Sequence, residues 1–268
     1  PRGDQALPGL FYRDGVACMS RLEAYRQRLR HLPSAEWEDL LRCESGLPGP
    51  RGNLALAEAV AEEGDETLFL RLLAYDAARA PASTSDEFLH FCGVLGLGKL
   101  LAAGEPALFV ELRRHANDPR WRTREAVAMA LQRVGRGDWP ALYVEMARWA
   151  QGSLLERRAA LAALCEPDLL SSVERAQQTL DLLDGVMAGL CEAPDRRDGA
   201  FIALRKGLGY CWSVAMVAAP AAGKVAFERW ADSGDRDVRW VLRENLKKKR
   251  LLKMDAAWVA QLSARLGS

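Results

Sequence analysis

Asp118-Pro119-Arg120-Trp121-Arg122-Thr123-Arg124-Glu125 and Asp237-Val238-Arg239-Trp240-Val241-Leu242-Arg243-Glu244 share the pattern D-x-R-W-x-x-R-E without a gap. Five identities in eight positions, one of them a tryptophan, mark an internal repeat. A third copy lies between them: residues 151–164 read QGSLLERRAALAAL, which places Arg157 where Arg124 and Arg243 fall. The step from Asp118 to Gln151 is 33 residues, the length of one helical hairpin. A period of this size is the signature of stacked supersecondary units, each unable to bury its apolar stripe alone.

The flanking chemistry predicts where those helices begin and end. Asp118 before Pro119 reads as an N-cap with proline in the first turn, where its missing N–H costs nothing. Ser153 with Glu156, Thr84 with Glu87 and Ser171 with Glu174 have capping-box spacing. Gly135, Gly137, Gly152 and Gly234 fall between predicted helices. The pattern predicts helices over 14–31, 34–44, 52–63, 65–79, 85–103, 105–116, 119–134, 139–151, 154–165, 171–191, 196–209, 211–231, 237–249 and 255–266. Residues 1–13 read as an irregular lead, and no convincing strand is predicted. Composition agrees, because Ala, Leu and Arg dominate while aromatic residues make up only 7%. With no stretch that qualifies as a linker, the expectation is an all-α superhelix forming one continuous array. Within it, 1–104 are degenerate N-terminal helices, 105–165 clear repeats, 171–219 an irregular repeat, and 220–268 a C-terminal repeat and cap.

These residues resemble HEAT repeats, whose units commonly carry Asp at the turn between helices and Arg a few residues later. The resemblance covers about 105–165 and 220–250, and implies a structural ladder of Asp118 with Arg124 and Asp237 with Arg243. It also implies an interaction scaffold, whose partner is a protein or double-stranded DNA.

Charge adds to this reading. The chain has a net charge of +1, but residues 1–109 hold 11 basic against 16 acidic residues, whereas 220–268 hold 11 against 6. The basic end is therefore the place to look for an anionic partner. Candidate nucleic-acid-binding residues are Arg120, Trp121, Arg122, Arg157, Arg158, Arg236, Arg239, Trp240 and the run Lys247-Lys248-Lys249-Arg250, since guanidinium groups neutralise phosphates and indoles stack on bases. Two structural readings stand beside this one. Tryptophans at a repeated position serve packing, and cations closing a helix complement its dipole.

Enzymatic motifs are sparse. Gly93-Val94-Leu95-Gly96-Leu97-Gly98-Lys99 satisfies G-x-x-x-x-G-K, yet it follows a helix-like segment and precedes Leu100 rather than Ser or Thr, so no nucleotide cofactor is expected. His31, His90 and His115 are widely separated, and the six cysteines show no ligand spacing, so no metal is expected and the cysteines read as small core residues. The longest apolar stretch, 214–222, is too short to span a bilayer and contains Pro220. No leader pattern precedes the helices, so a cytoplasmic location is the default expectation. In architecture, length and Trp and Arg content, the chain is also similar to the HEAT-like DNA alkylation-repair glycosylases of the AlkD type. That similarity implies cleavage of alkylated purines by an essential Asp flanked by Trp. No Trp-x-x-x-Asp helix matches: Trp121 and Trp240 are followed four residues on by Glu125 and Glu244. No catalytic residue is carried over.

Overall fold

Two helices that are apolar on nearly every side, Ser85–Ala102 and Gly199–Ala218, organise the molecule. A helix so rich in apolar residues must be covered over most of its surface; Ser85–Ala102 is buried from Glu87 to Gly98, whereas Gly199–Ala218 leaves Lys206, Tyr210 and Val217 exposed. The computed structural model describes residues 10–13 and 16–267, of which 10–13 and 16–19 are described by backbone alone. The chain divides into two compact units, 1–126 and 127–268. No linker marks the division, which falls inside a helix.

In the first unit, β1 (Leu10–Arg13) and β2 (Val16–Met19) pair antiparallel, with Leu10 opposite Met19 and Arg13 opposite Val16. This hairpin replaces the start of the helix expected from residue 14. Its segments carry the strand-favouring Phe11, Tyr12 and Val16, and the sequence between them, Asp14-Gly15, is a dipeptide common in hairpins. The helices that follow are α1 (Arg21–His31), α2 (Trp37–Glu44), α3 (Leu54–Glu63), α4 (Glu66–Leu73), α5 (Ser85–Ala102) and α6 (Leu108–His115). α1 packs on α3 and α3 on α5, while α2, α4 and α6 also contact α5. Asn53, Asp65 and Thr84 cap α3, α4 and α5 through their side chains. Lys99 donates to the Glu62 and Gly64 carbonyls at 2.7 and 2.8 Å and so closes the C-terminus of α3. The G-x-x-x-x-G-K segment is thus interior helix. A Cβ on Gly96 would lie 2.2 Å from the Phe69 ring, and its absence lets α4 approach α5.

Helix α7 (Trp121–Gly137) crosses the unit boundary. The second unit continues with α8 (Trp139–Trp149), α9 (Leu154–Leu164), α10 (Val173–Cys191), α11 (Gly199–Ala218), α12 (Pro220–Glu228), α13 (Arg236–Leu246), α14 (Lys249–Met254) and α15 (Ala256–Gly267). Alternate helices touch: α9 packs on α11, α11 on α13, α13 on α15, and α10 on α12. Successive helices α8 and α9, α10 and α11, and α14 and α15 also pair.

Helix boundaries depart from expectation at several places; the helix expected over 65–79, for example, ends at Leu73. Gly207 and Gly209 lie inside one long α11 rather than at a break, because a Cβ on Gly209 would come within 3.0 Å of the Trp240 indole of α13. The chain breaks instead at Ala219, held at φ −137° and ψ 75° ahead of Pro220, as the steric demand of a following proline requires. The helix begun at Arg236 stops at Leu246, ten residues later, and α14 starts anew at Lys249. The capping box of Ser153 and Glu156 forms as expected, whereas Ser172 rather than Ser171 caps α10.

Cys92, Cys165 and Cys211 are buried, Cys191 is half-buried and Cys43 is exposed, so Cys43 departs from the expected core role. Among the described residues, no helix is long and apolar enough to cross a membrane.

Candidate functional site

The break between α13 and α14 decides where the basic run lies. Instead of closing one helix, Lys247–Arg250 forms the turn between two. Lys247 ends α13 and pairs with Glu244 at 2.5 Å. Lys248 caps α14 in extended conformation, φ −75° and ψ 125°, without a side-chain cap bond, and Lys249 and Arg250 occupy the first turn. Cations there oppose the α14 dipole, so the helix-complementing role applies only to the α13 end.

Beside this turn stands Tyr210 of α11, 44% exposed. The Arg250 guanidinium lies 4.7 Å from its ring centroid and donates to its hydroxyl at 2.8 Å, while the Lys248 ammonium lies 5.9 Å from the same ring. Such pairs draw on the negative face of the ring. Further along the same helix, the Arg205 guanidinium sits 4.5 Å from the Trp240 ring and is ion-paired to Asp237. Lys206 is exposed, and Arg158 of α9 lies against Gly207, whose Cβ would sit 3.5 Å from its Cγ. The result is an aromatic and cationic strip assembled from α9, α11, α13 and α14.

The remaining sequence candidates divide. Arg120 and Arg122 are corrected as contact residues, since they are 2% and 7% exposed and their terminal guanidinium nitrogens bond inside the protein. Arg120 holds both Asp118 oxygens at 2.9 and 2.7 Å and reaches the Tyr75 and Ala80 carbonyls at 3.0 and 3.1 Å. Arg122 meets Glu87 and Ser83, each at 3.2 Å, and the Gly49 carbonyl at 3.1 Å. Trp121 remains 50% exposed, with the Arg122 guanidinium 4.5 Å from its ring. Arg157 donates to the Gly152 carbonyl at 3.0 Å. Arg236 is exposed, and Arg239 and Arg243 both donate to the Leu266 carbonyl, tying α13 to the end of α15.

At the positions of the expected ladder, Asp118 accepts the Arg120 backbone N–H at 2.7 Å, and Arg124 reaches the Asp118 and Pro119 main-chain oxygens. In α13 the corresponding turn belongs to Asp235, which accepts from the Asp237 and Val238 amides at 2.8 and 3.3 Å. Asp237 lies within the helix. It accepts from Arg196, at 2.9 Å, and from Arg205, and Arg236 lies 3.6 Å away. Burial alone would raise the Asp237 pKa, but Arg205 and Arg196 together hold it below the usual carboxylate range. The hydrogen bond from Arg196 likewise lowers Asp235, against the effect of burial.

A second grouping, unsuspected in the sequence, lies in the first unit. His90 of α5, His115 at the end of α6 and Asp118 in the next turn each offer a ligand atom, all within 4.8 Å of one another. The two rings meet edge to face with centroids 5.0 Å apart, and His90 Nε2 lies 3.8 Å from Asp118 Oδ2. Neither His90 nitrogen nor His115 Nε2 makes a hydrogen bond of ordinary geometry. The histidines are widely separated in the sequence, and the fold brings two of them together. The grouping's only trace in the sequence is the short spacing of His115 and Asp118, because the third member arrives from 25 residues upstream.

No protein-family model, curated protein or solved structure matches this chain.

Proposed function

We propose that this protein is a HEAT-like helical-repeat scaffold that binds nucleic acid through the C-terminal strip. The contacts between alternate helices in the second unit support a stacked-hairpin reading, in which each hairpin covers its neighbour's apolar stripe. The observation that carries the binding role is the exposed Tyr210 ring with Lys248 and Arg250 beside it. Phosphates are met by the cations, and an unpaired or end base can stack on the ring. The cationic turn carries an electrostatic cost at the start of α14 that packing alone does not require.

Fluorescence anisotropy with duplex and single-stranded DNA, each at two salt concentrations, tests this. Affinity should fall steeply with salt, and replacing Lys248, Lys249 and Arg250 with Gln should flatten the slope by up to about three. Tyr210→Ala should weaken the single-stranded complex with little change in slope. Unaltered binding in both variants, or no binding of the parent at about 50 mM salt, would refute the role and leave a protein-binding scaffold. Release of a base from an alkylated duplex would instead support the glycosylase reading. For that reading, Asp184, which accepts from Trp230 Nε1 at 2.8 Å and lies 3.3 Å from Arg229, is the carboxylate beside a tryptophan and a cation.

A further inference from the structure

We propose that His90, His115 and Asp118 form a divalent transition-metal site suited to zinc, which would tie α5 to the end of α6 and to the turn leading into α7. Two imidazoles and a carboxylate are a zinc donor set, with bonds near 2.0–2.1 Å. In tetrahedral geometry those bonds put the donor atoms roughly 3.3 Å apart. The three atoms already lie within 4.8 Å of one another, so small side-chain rotations close the site.

Burial argues that the gap serves a ligand. His90 is 2% exposed, yet both its nitrogens and His115 Nε2 lack hydrogen-bond partners, and buried polar atoms left unpaired cost free energy that a metal bond would recover. The rings are also ready to coordinate. His90 Nε2 lies 3.8 Å from Asp118 Oδ2, and the His90 and His115 rings meet edge to face 5.0 Å apart, so the donor atoms already converge.

The charges balance only in part. Arg120 holds Asp118 and opposes a second cation, but two main-chain carbonyls anchor it and Asp118 Oδ2 still faces His90. Glu111 lies 3.6 Å from His115 Nε2 and brings a second carboxylate to the cluster, available to orient the ring or to supply a fourth ligand.

The test uses the full chain, stripped of metal by chelation and titrated calorimetrically with zinc. The parent should bind a single equivalent, and the cobalt form should show ligand-field absorption without a thiolate charge-transfer band. His90→Gln and His115→Gln should each weaken zinc binding by at least about tenfold. His115 lies at a helix end, so His115→Gln, checked for unchanged helicity by circular dichroism, decides the matter should His90→Gln fail to fold. Absence of stoichiometric zinc binding by the parent, equal binding by folded His115→Gln, or a thiolate band pointing to the exposed Cys43 would each overturn the assignment.

Discussion

Acidification from pH 7 to pH 5 should destabilise the first unit through His90. The folded protein holds this imidazole neutral, its pKa pushed from 6.5 to about 4 chiefly by burial, with Arg120 and His115 adding to the effect. In the unfolded chain the ring titrates near its ordinary value. Below that value the unfolded state binds the extra proton, so stability is lost as pH falls toward the folded pKa. Between pH 7 and pH 5 the loss comes to about 2 kcal/mol, approaching about 3 kcal/mol near pH 4. His115, also lowered by burial, acts in the same direction. The carboxylates leave this window clear. Glu63, held down to about 2 mainly by its hydrogen bond from Arg30, gives up its contribution only as pH drops below the ordinary carboxylate range. Urea unfolding in the presence of chelator, with hydrogen exchange of the α5 amides to localise the change, measures the effect in the parent and in His90→Gln. The parent should lose stability on acidification, and the variant should lose distinctly less. Equal losses in the two proteins, or none in the parent, would refute the assignment of a buried neutral imidazole.

Three substitutions probe the packing around both sites. Asp118→Ala should cost about 3–5 kcal/mol in chemical denaturation, because it strands the buried Arg120 guanidinium as well as removing a turn acceptor; a loss near 1 kcal/mol would mean that the cap alone matters. Gly96→Ala should cost about 1–3 kcal/mol by driving a methyl group into the buried Phe69 ring, and an unchanged melting temperature would contradict the close approach of α4 and α5. Asn245→Ala should destabilise the second unit by about 2–3 kcal/mol. This side chain is fully buried, accepts from the Ser213 amide at 2.9 Å and donates to the Leu208 and Val241 carbonyls at 2.9 and 2.8 Å. Unaltered hydrogen exchange along α11 in that variant would count against it.

Local signals carried most of the helix assignments. Thr84 and Ser153 cap where hydroxyl and glutamate spacing places them, since capping depends on residues within one turn. Errors arose where a distant partner decided the outcome. Gly209 reads locally as a break, but the Trp240 indole, 31 positions away, turns it into a contact point inside α11. Asp237 aligns with Asp118, yet Asp235 takes the turn because Arg196, from before α11, reaches it. The basic run was visible as charge, whereas its neighbour Tyr210 lies 38 residues before Lys248 and shares no periodicity with it. The meeting of His90 and His115 has the same cause, two helices crossing at positions that no sequence spacing links.

The distribution of thiols gives the molecule its own clocks for opening. Burial raises the Cys92 and Cys165 thiols well above their ordinary pKa, so neither offers an appreciable thiolate to an alkylating reagent while its unit stays closed. Exposed Cys43 has no such protection. Modification at Cys92 therefore times excursions of the first unit and modification at Cys165 those of the second, so site-resolved alkylation can tell whether the two breathe together or apart.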